Sequence, residues 1–176
     1  NRGSAYYYNN EFDVKLNLGW DGFTVINETR TTNTWDANEL RTNSTGETWN
    51  AGAYEYTNRV LYSYDGNNRL ETSTNQSWNA GTWDNTSRSA YTYDANGNNL
   101  TYTTYTWSSG TWQPNYRYVY TFNANGYQLT NTYQGWSGSA WENQSRTTQT
   151  YDASNHRTSY LHEVASGGVL VNDYLY

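Results

Sequence analysis

Pairs of aromatic residues, five positions apart in the chain, are the side chains best suited to bind a ligand. A flat indole or phenol ring complements the apolar face of a pyranose, so these rings are candidates for carbohydrate binding. The alternative is structural, since an aromatic pair facing across two strands clamps the turn between them. We favour the structural alternative. The candidate ligand-binding residues are Trp49 and Tyr54, Trp78 and Trp83, Trp107 and Trp112, and Trp136 and Trp141.

Arginines recur at a constant spacing of 29 residues, at Arg30, Arg59, Arg88, Arg117 and Arg146. A row of guanidinium groups could bind an acidic polysaccharide. Arginine also stacks on aromatic rings and pairs with carboxylates. We expect each arginine to lie over a neighbouring Tyr or Trp ring, or to meet an Asp or Glu of an adjacent unit.

Short Asp-rich segments resemble the opening of a calcium-binding loop. Asp65, Asp94 and Asp152 are each followed two residues later by Asn or Ser, but the closing bidentate Glu of such a loop is missing. An Asx turn, in which the side chain accepts a backbone N–H, explains the same residues without a metal. The two histidines, His156 and His162, lack metal-ligand spacing. We therefore expect no metal site and no cofactor.

No catalytic residues can be assigned from the sequence. The carboxylates Glu55, Asp84 and Glu142 share one repeat position, whereas an acid–base pair requires two different environments. The chain contains no nucleophile motif and no glycine-rich phosphate loop. We therefore expect a protein that is not an enzyme.

The elements that position these side chains are set by an internal repeat. Aromatic, tryptophan and arginine columns all advance by 29 residues, which defines about six units. The units span approximately residues 6–34, 35–63, 64–92, 93–121, 122–150 and 151–176. We treat residues 1–176 as a single repeat domain, and expect it to be a fragment of a longer array.

Each unit is predicted to contain two strands and two turns. Turns are predicted at Asp65–Asn68, Asp94–Gly97, Asn123–Gly126 and Ser108–Thr111, between Thr- and Tyr-rich runs that favour strands. The fold class is therefore all-β, an antiparallel β-hairpin repeat array of about twelve strands. Leu70 lies one position earlier than Leu100 in its unit, which predicts that one turn differs by a bulge.

Pairing across a hairpin follows from the turn length. If Trp107 faces Trp112, then Tyr105 faces Pro114, Thr103 faces Tyr116 and Leu100 faces Val119. Two architectures accommodate these pairs: a solenoid that turns one face of the sheet inward, or a twisted meander with both faces of the sheet exposed to solvent. We favour the solenoid, because only 21 residues are Leu, Ile, Val or Phe and the aromatic rings would have to supply the buried area.

Composition and charge exclude several functions. The net charge is −6, and the ten basic residues are scattered singly, which argues against nucleic-acid binding. No run of 18 apolar residues is present, so we expect no membrane insertion. Abundant Thr and Asn with a single Lys are typical of secreted proteins.

Two tyrosine-containing segments carry a family resemblance. The stretches Tyr91–Thr101 and Tyr62–Asn67 resemble the tyrosine–aspartate (YD) repeats of Rhs-type proteins. The whole unit, with its paired aromatics, is similar to tandem repeats in secreted proteins of Bacteroidetes-type bacteria. This resemblance implies a secreted or cell-surface β-repeat protein and carries no catalytic residue. The repeat departs from the YD pattern in its longer period and its added tryptophan pair.

These observations predict a non-enzymatic extracellular module that acts as a stalk, scaffold or adhesin. The alternative is a lectin-like module that binds carbohydrate through its aromatic columns. Expected partners are a polysaccharide, or other repeats or copies of the same protein. We also expect end-to-end association, because unpaired strand edges recruit other chains.

Overall fold

The computed structural model describes the backbone of residues 3–8, 12–20 and 25–175, and the side chains of residues 29–175. These parts of the chain contain thirteen strands and no helix, which confirms the all-β prediction. No helix long and apolar enough to cross a membrane is therefore found among the described residues. The strands are β1 (Gly3–Tyr8), β2 (Phe12–Trp20), β3 (Val25–Trp35), β4 (Arg41–Asn50), β5 (Ala53–Tyr64), β6 (Leu70–Asn79), β7 (Thr82–Tyr93), β8 (Asn99–Ser108), β9 (Thr111–Phe122), β10 (Gln128–Trp136), β11 (Trp141–Tyr151), β12 (Arg157–Ser166) and β13 (Val169–Leu175).

The strands lie in the sheet in the same order as in the sequence, from β1 to β13. The fold is therefore an antiparallel meander, one of the two predicted architectures. Six hairpins account for the expected twelve strands, and β1 is the thirteenth. Two compact units divide the chain, Asn1–Ser87 and Arg88–Tyr176. The single repeat domain of residues 1–176 stays a prediction.

The buried residues are polar. No apolar side chain between Thr29 and Leu175 is buried, so the preference for a solenoid with an apolar interior is wrong. Backbone ladders and side-chain hydrogen bonds take the place of that interior. Among the described side chains, the buried positions are Asn33, Thr45, Glu47, Thr103, Thr104 and Glu163.

Hydroxyl groups pair across the strands at one repeat position. Ser63 and Thr72 hydroxyl oxygens lie 2.7 Å apart, as do those of Thr121 and Thr130. Thr92 and Thr101 make the same contact at 2.7 Å. Cross-strand hydroxyl pairs stabilise antiparallel sheets, which explains why threonine replaces aliphatic residues in these strands.

Longer turns follow β3, β5, β7, β9 and β11. Those after β5, β7 and β9 lie at the predicted positions. In the turn Asp94–Gly97, the N–H of Gly97 donates to the carbonyl of Asp94 at 3.2 Å, and Gly97 has a φ of 89°. Glu39, Asn68 and Asn155 take the same left-handed conformation in other units. This geometry is that of a hairpin turn closed by a bulge.

The bulge beside the longer turns recurs instead of marking one unusual turn. Register shifts by one residue at Trp35, Tyr64 and Tyr151, and again between Gln128 and Thr130. Leu70 pairs with Tyr64, so it occupies a different place in the same bulge. The prediction that one turn differs is therefore wrong.

Shorter turns join the strands that carry the aromatic pairs. Ser109 and Gly110 have φ values of 51° and 78°, as a two-residue type I′ turn requires. Trp107 pairs with Trp112 and Tyr105 with Pro114, as predicted. Farther from the turn the predicted register is wrong, since Thr103 pairs with Arg117 and Thr101 with Val119.

A side-chain hydrogen bond accompanies this register change. Register shifts between Thr103 and Tyr105, and the hydroxyl of Thr104 donates to the carbonyl of Tyr116 at 3.2 Å. Tyr116, the predicted partner of Thr103, is therefore hydrogen-bonded to Thr104 instead. A local bulge of this kind cannot be read from turn length.

Candidate functional site: the aromatic pairs and their arginines

The predicted aromatic pairs lie next to the shorter turns, with the two rings on facing strands. Ring centroids are 4.8 Å apart for Trp107 and Trp112, and 5.0 Å apart for Trp78 and Trp83. The corresponding distances are 5.0 Å for Trp49 and Tyr54 and 5.1 Å for Trp136 and Trp141. The structure thus brings all eight candidate residues together as four pairs.

The two rings of each pair meet edge to face. Interplanar angles are 60° for Trp78 and Trp83, 66° for Trp107 and Trp112, 64° for the Trp136 pair and 73° for the Trp49 pair. Aromatic quadrupoles favour this arrangement. A stacking platform for sugar rings would instead present coplanar faces to solvent. The pairs therefore have the geometry of cross-strand clamps.

Exposure of the rings is intermediate. Trp49 is 44% exposed, and the other rings of the four pairs are partly buried. Tyr56 is 47% exposed and lies 5.2 Å from Trp78 and 5.5 Å from Trp83. The rings therefore remain accessible at their margins while they pack on one another.

Arginines of the preceding unit cover the second ring of three pairs. The Cζ atom of Arg30 lies 4.3 Å from the centroid of the Tyr54 ring. Arg59 lies 4.5 Å from the Trp83 ring, and Arg117 lies 4.6 Å from the Trp141 ring. Such cation–π contacts contribute about 0.5–1 kcal/mol at exposed sites. The expectation that arginines lie over rings is confirmed for these three.

Each of these arginines is also held by an acceptor on the next strand. Arg30 donates to both carboxylate oxygens of Glu47, at 2.6 and 2.5 Å, and Glu47 is only 6% exposed. This hydrogen bond raises the pKa of Arg30. Arg59 and Arg117 donate instead to side-chain oxygens of Gln76 and Gln134. The acceptor fixes the guanidinium where it covers the ring.

Arg146 makes the same type of ion pair in the last unit. It donates to both carboxylate oxygens of Glu163, at 2.7 and 3.0 Å. Hydrogen bonding to Glu163 raises the pKa of Arg146. Leu170 stands at the position where earlier units have a second aromatic ring. The ion pair is therefore retained without its aromatic partner.

The expected pairing of arginine with a Glu of an adjacent unit is confirmed at Glu47 and Glu163, but sequence reasoning missed that the acceptor recurs as a column. Glu47, Gln76, Gln134 and Glu163 each follow an arginine by 17 residues. This constant offset was the available signal. It was hidden because both Glu and Gln occur at the position and because the fourth unit has Tyr105 there.

A tyrosine cluster on strands β8 to β10 is a second feature that the spacing did not reveal. Tyr102 stacks on Tyr118 at 6.3 Å, and Tyr118 lies 5.2 Å from Tyr133. Burial raises the pKa values of Tyr116 and Tyr120 in this cluster. These rings pack mainly on one another, so the cluster is a packing feature of the second compact unit.

The Asp-rich segments are Asx turns, as predicted. Oδ1 of Asp94 accepts the backbone N–H groups of Asn96 at 2.9 Å and of Asn98 at 2.8 Å. Oδ1 of Asn123 accepts the equivalent N–H groups of Asn125 and Tyr127. Because an amide oxygen does the same work as a carboxylate oxygen, these contacts require no metal ion.

Hydrogen bonds to the carboxylates lower the pKa values of the turn aspartates. The backbone N–H of Arg69 is the main cause for Asp65, and the backbone N–H of His156 for Asp152. For Asp94, the main cause is the side-chain amide of Asn98. His156 thus belongs to a turn, while Nδ1 of His162 lies 3.1 Å from Asp173. Among the described residues no His, Asp and Glu cluster could hold a metal ion.

Carboxylates that share one repeat position bond within their own hairpins. Glu55 accepts the side-chain amide of Asn50 at 3.0 Å, and Asp84 accepts that of Asn79 at 3.0 Å. Both contacts span a shorter turn. The recurrence of one contact in two units is what a structural column predicts.

No protein-family model and no curated protein matches the chain. Among solved structures, TcdB2-TccC3-TEV has a TM-score of 0.59 at 16% identity, with 93% of this chain and 8% of that chain covered. A protein of unknown function from Bacteroides fragilis NCTC 9343 has a TM-score of 0.51 at 14% identity, with 68% and 91% covered. At these identities the likeness is one of fold. It supports a β-repeat type for this chain, and the assignment to YD repeats stays a prediction.

Proposed function

We propose that this chain is a non-enzymatic, extracellular β-repeat module that acts as a stalk, scaffold or adhesin. The observation that carries the proposal is the recurrence of one set of contacts. Arg30, Arg59 and Arg117 each bond an acceptor on the next strand and cover an aromatic ring one strand farther on. A catalytic centre would need one asymmetric set of groups, whereas a spacer needs the same contacts repeated.

Geometry of the rings supports a structural use of the aromatic pairs. In the pairs Trp78–Trp83 and Trp136–Trp141, the rings meet at 60° and 64°. Arginine covers the second ring of each pair. At the Trp78–Trp83 pair, little continuous flat surface therefore remains for a ligand to stack on. The proposal of an extracellular location rests on the Thr- and Asn-rich composition and on the resemblance to secreted repeats.

Carbohydrate binding along the columns is the second candidate. It is favoured by the exposure of Trp49 and Tyr56, at 44% and 47%. Exposed aromatic rings are common in binding surfaces. A polysaccharide would be the partner in this case. Other repeats or copies of the same protein are the partners if the module acts as a scaffold.

Replacement of one aromatic pair separates the two candidates. We expect the double variant Trp107→Phe/Trp112→Phe to unfold at a lower urea concentration, with unchanged retention on immobilised polysaccharides. Trp107→Phe alone serves as the control for partial loss of ring area. A double variant with unaltered unfolding and lost retention would overturn the structural proposal in favour of the lectin-like one.

Location is tested on intact cells of the organism that makes the protein. Brief protease treatment should release peptides from the longer turns, such as Asp94–Gly97, whose Ala95, Asn96 and Gly97 are exposed. A known cytoplasmic protein should release none under the same conditions. Protection of the chain until the cells are lysed would contradict the proposed location.

A further inference from the structure

A cavity of about 520 Å³ lies at the hairpin end of the last two units. Its volume is in the range of cavities that hold small ligands, roughly 300–1,000 Å³. It belongs entirely to the second compact unit. The lining residues are Trp141, Glu142, Asn143, Gln144, Ala165 and Gly168.

The cavity exists because the repeat is broken at one position. Ala165 stands where earlier units have Trp49, Trp78, Trp107 and Trp136, each 29 residues before the next. In an earlier unit, the Trp78 ring lies 5.2 Å from Tyr56. The equivalent residues here are Ala165 and Asn143. Asparagine also stands at this second position in Asn85, so the ring lost relative to the repeat is the tryptophan ring. A methyl group takes its place, and the space beside Asn143 is left open.

The strands on either side leave the cavity open to a ligand. Pairing of β11 with β12 begins at Ser145 and Val164 and continues away from the cavity. The segment Trp141–Gln144 pairs with β10 on its other side, with Gln144 as the extra residue of a bulge. Backbone polar groups and side chains of this segment therefore face a gap.

Polar groups of the cavity are available for new hydrogen bonds. Glu55 and Asp84, at the position equivalent to Glu142, accept an amide from Asn50 and Asn79. The last of these units has Ser137 in place of that asparagine, and the Ser137 hydroxyl bonds to Ala140 instead. The backbone of Glu142 pairs with that of Gly135 on β10, whereas the Glu142 carboxylate makes no side-chain hydrogen bond to another described residue.

The remaining lining combines one aromatic surface with amides. The Trp141 ring contacts the guanidinium of Arg117 and the ring of Trp136. The remaining surface of the Trp141 side chain lines the cavity. Asn143 accepts the side-chain amide of Gln134 through Oδ1 at 2.6 Å, which leaves its own NH₂ group free to donate. Among the described residues, no Lys, Arg or His lines the cavity.

We propose that this cavity binds a single neutral pyranose unit. The indole of Trp141 would pack on the apolar C–H face of the sugar. Glu142, Asn143 and Gln144 would accept from and donate to its hydroxyl groups. The unpaired carboxylate and the net charge of −6 disfavour acidic sugars. This inference goes beyond the structural function, because it concerns one place where the repeat is interrupted.

Saturation-transfer difference NMR tests the site on the intact chain. The probes are glucose, galactose, mannose and N-acetylglucosamine at millimolar concentration, with glucuronic acid as the charged comparison. We expect transfer to at least one neutral sugar and none to glucuronic acid. Ala165→Trp restores the residue of the earlier units, so it should fold, fill the cavity and abolish the signal.

Two further variants test whether the sugar binds in this cavity. Glu142→Gln should weaken the neutral-sugar signal at least several-fold. The same substitution at the equivalent position, Glu55→Gln, lies outside the cavity and should leave the signal unchanged. Absence of transfer from every neutral sugar, or full transfer in a folded Ala165→Trp variant, would overturn the proposal.

This result is independent of the structural function. Loss of the sugar signal in Trp107→Phe/Trp112→Phe, with Ala165→Trp unaffected, would assign binding to the aromatic columns and contradict this site. Loss in Ala165→Trp alone leaves the structural role of the columns intact.

Discussion

At the scale of single residues, the paired aromatic rings stabilise the hairpins although they remain partly exposed. Trp107 is only partly buried, and its centroid is 4.8 Å from that of Trp112. An aromatic core, as the sequence predicts, requires full burial of both rings. Because the rings stay partly exposed, the energetic effect of each is smaller than that of a core residue.

Replacement of one ring measures this effect. We expect Trp107→Ala to lower the free energy of unfolding by about 2 kcal/mol, below the roughly 3–5 kcal/mol of a fully buried tryptophan. Trp49→Ala should cost less, because Trp49 is 44% exposed. Urea unfolding of both variants shows which of the two loses more unfolding free energy. Equal losses would show that exposure does not govern the contribution.

The turn aspartates predict a dependence of stability on pH. The pKa of Asp94 is lowered in the folded protein, so its stabilisation is present above the unfolded value of about 3.9. It is lost as the pH falls through the lower folded value. Asp94→Asn should therefore reduce the decline in melting temperature between about pH 5 and pH 2. Asn123→Asp should increase that decline, and unchanged profiles in both variants would contradict the mechanism.

At the scale of elements, one turn geometry serves sequences that differ in every unit. The residue that closes the longer turn is Glu39, Asn68, Gly97, Gly126 or Asn155, always with positive φ. The Asx hydrogen bonds hold this geometry in each case. Side-chain acceptors therefore compensate for residues that disfavour the left-handed region.

Two glycines in equivalent turns test this account. Gly97 has a φ of 89°, whereas Gly66 is outside the left-handed region, and an added Cβ would meet nothing within 4 Å at either position. We expect Gly97→Ala to destabilise the protein by about 1–2 kcal/mol, since only the backbone conformation opposes it. Gly66→Ala should be neutral or stabilising, because other units have alanine there. Thermal unfolding of the two variants measures both changes in stability. Equal changes would contradict the argument that the backbone conformation of Gly97 is the cause.

At the scale of the whole molecule, the described part of the chain lacks buried apolar side chains. Its buried positions are polar groups such as Glu47 and Thr104. Hydrogen bonds along the strands and between hydroxyl columns therefore carry a larger share of the stability than in a protein with an aliphatic core. Heat capacity reports this difference, because it depends on apolar surface exposed on unfolding.

We accordingly expect a low heat-capacity change of unfolding. Globular proteins show about 12–15 cal/mol/K per residue, and this chain should fall clearly below that range. Calorimetry at several pH values provides the measurement. A value inside the range would mean that the folded protein buries apolar surface, for instance by association of its sheet faces.

The sequence by itself determined the periodic features of this protein. Turn positions, the all-β class, the cross-strand partnership of Trp107 with Trp112 and the Asx turns all depend on residues within one 29-residue unit. Turn chemistry is local, and a repeat shows it several times. The coverage of rings by Arg30, Arg59 and Arg117 was also foreseeable from residue type.

Tertiary structure alone decided how the strands register and what they bury. The register shift at Thr104 accompanies a hydrogen bond to Tyr116. The lack of buried apolar side chains between Thr29 and Leu175 depends on how the strands pair across units. The cavity beside Ala165 likewise appears only when β11 and β12 lie side by side. These properties require contacts between residues distant in sequence, which no local pattern encodes.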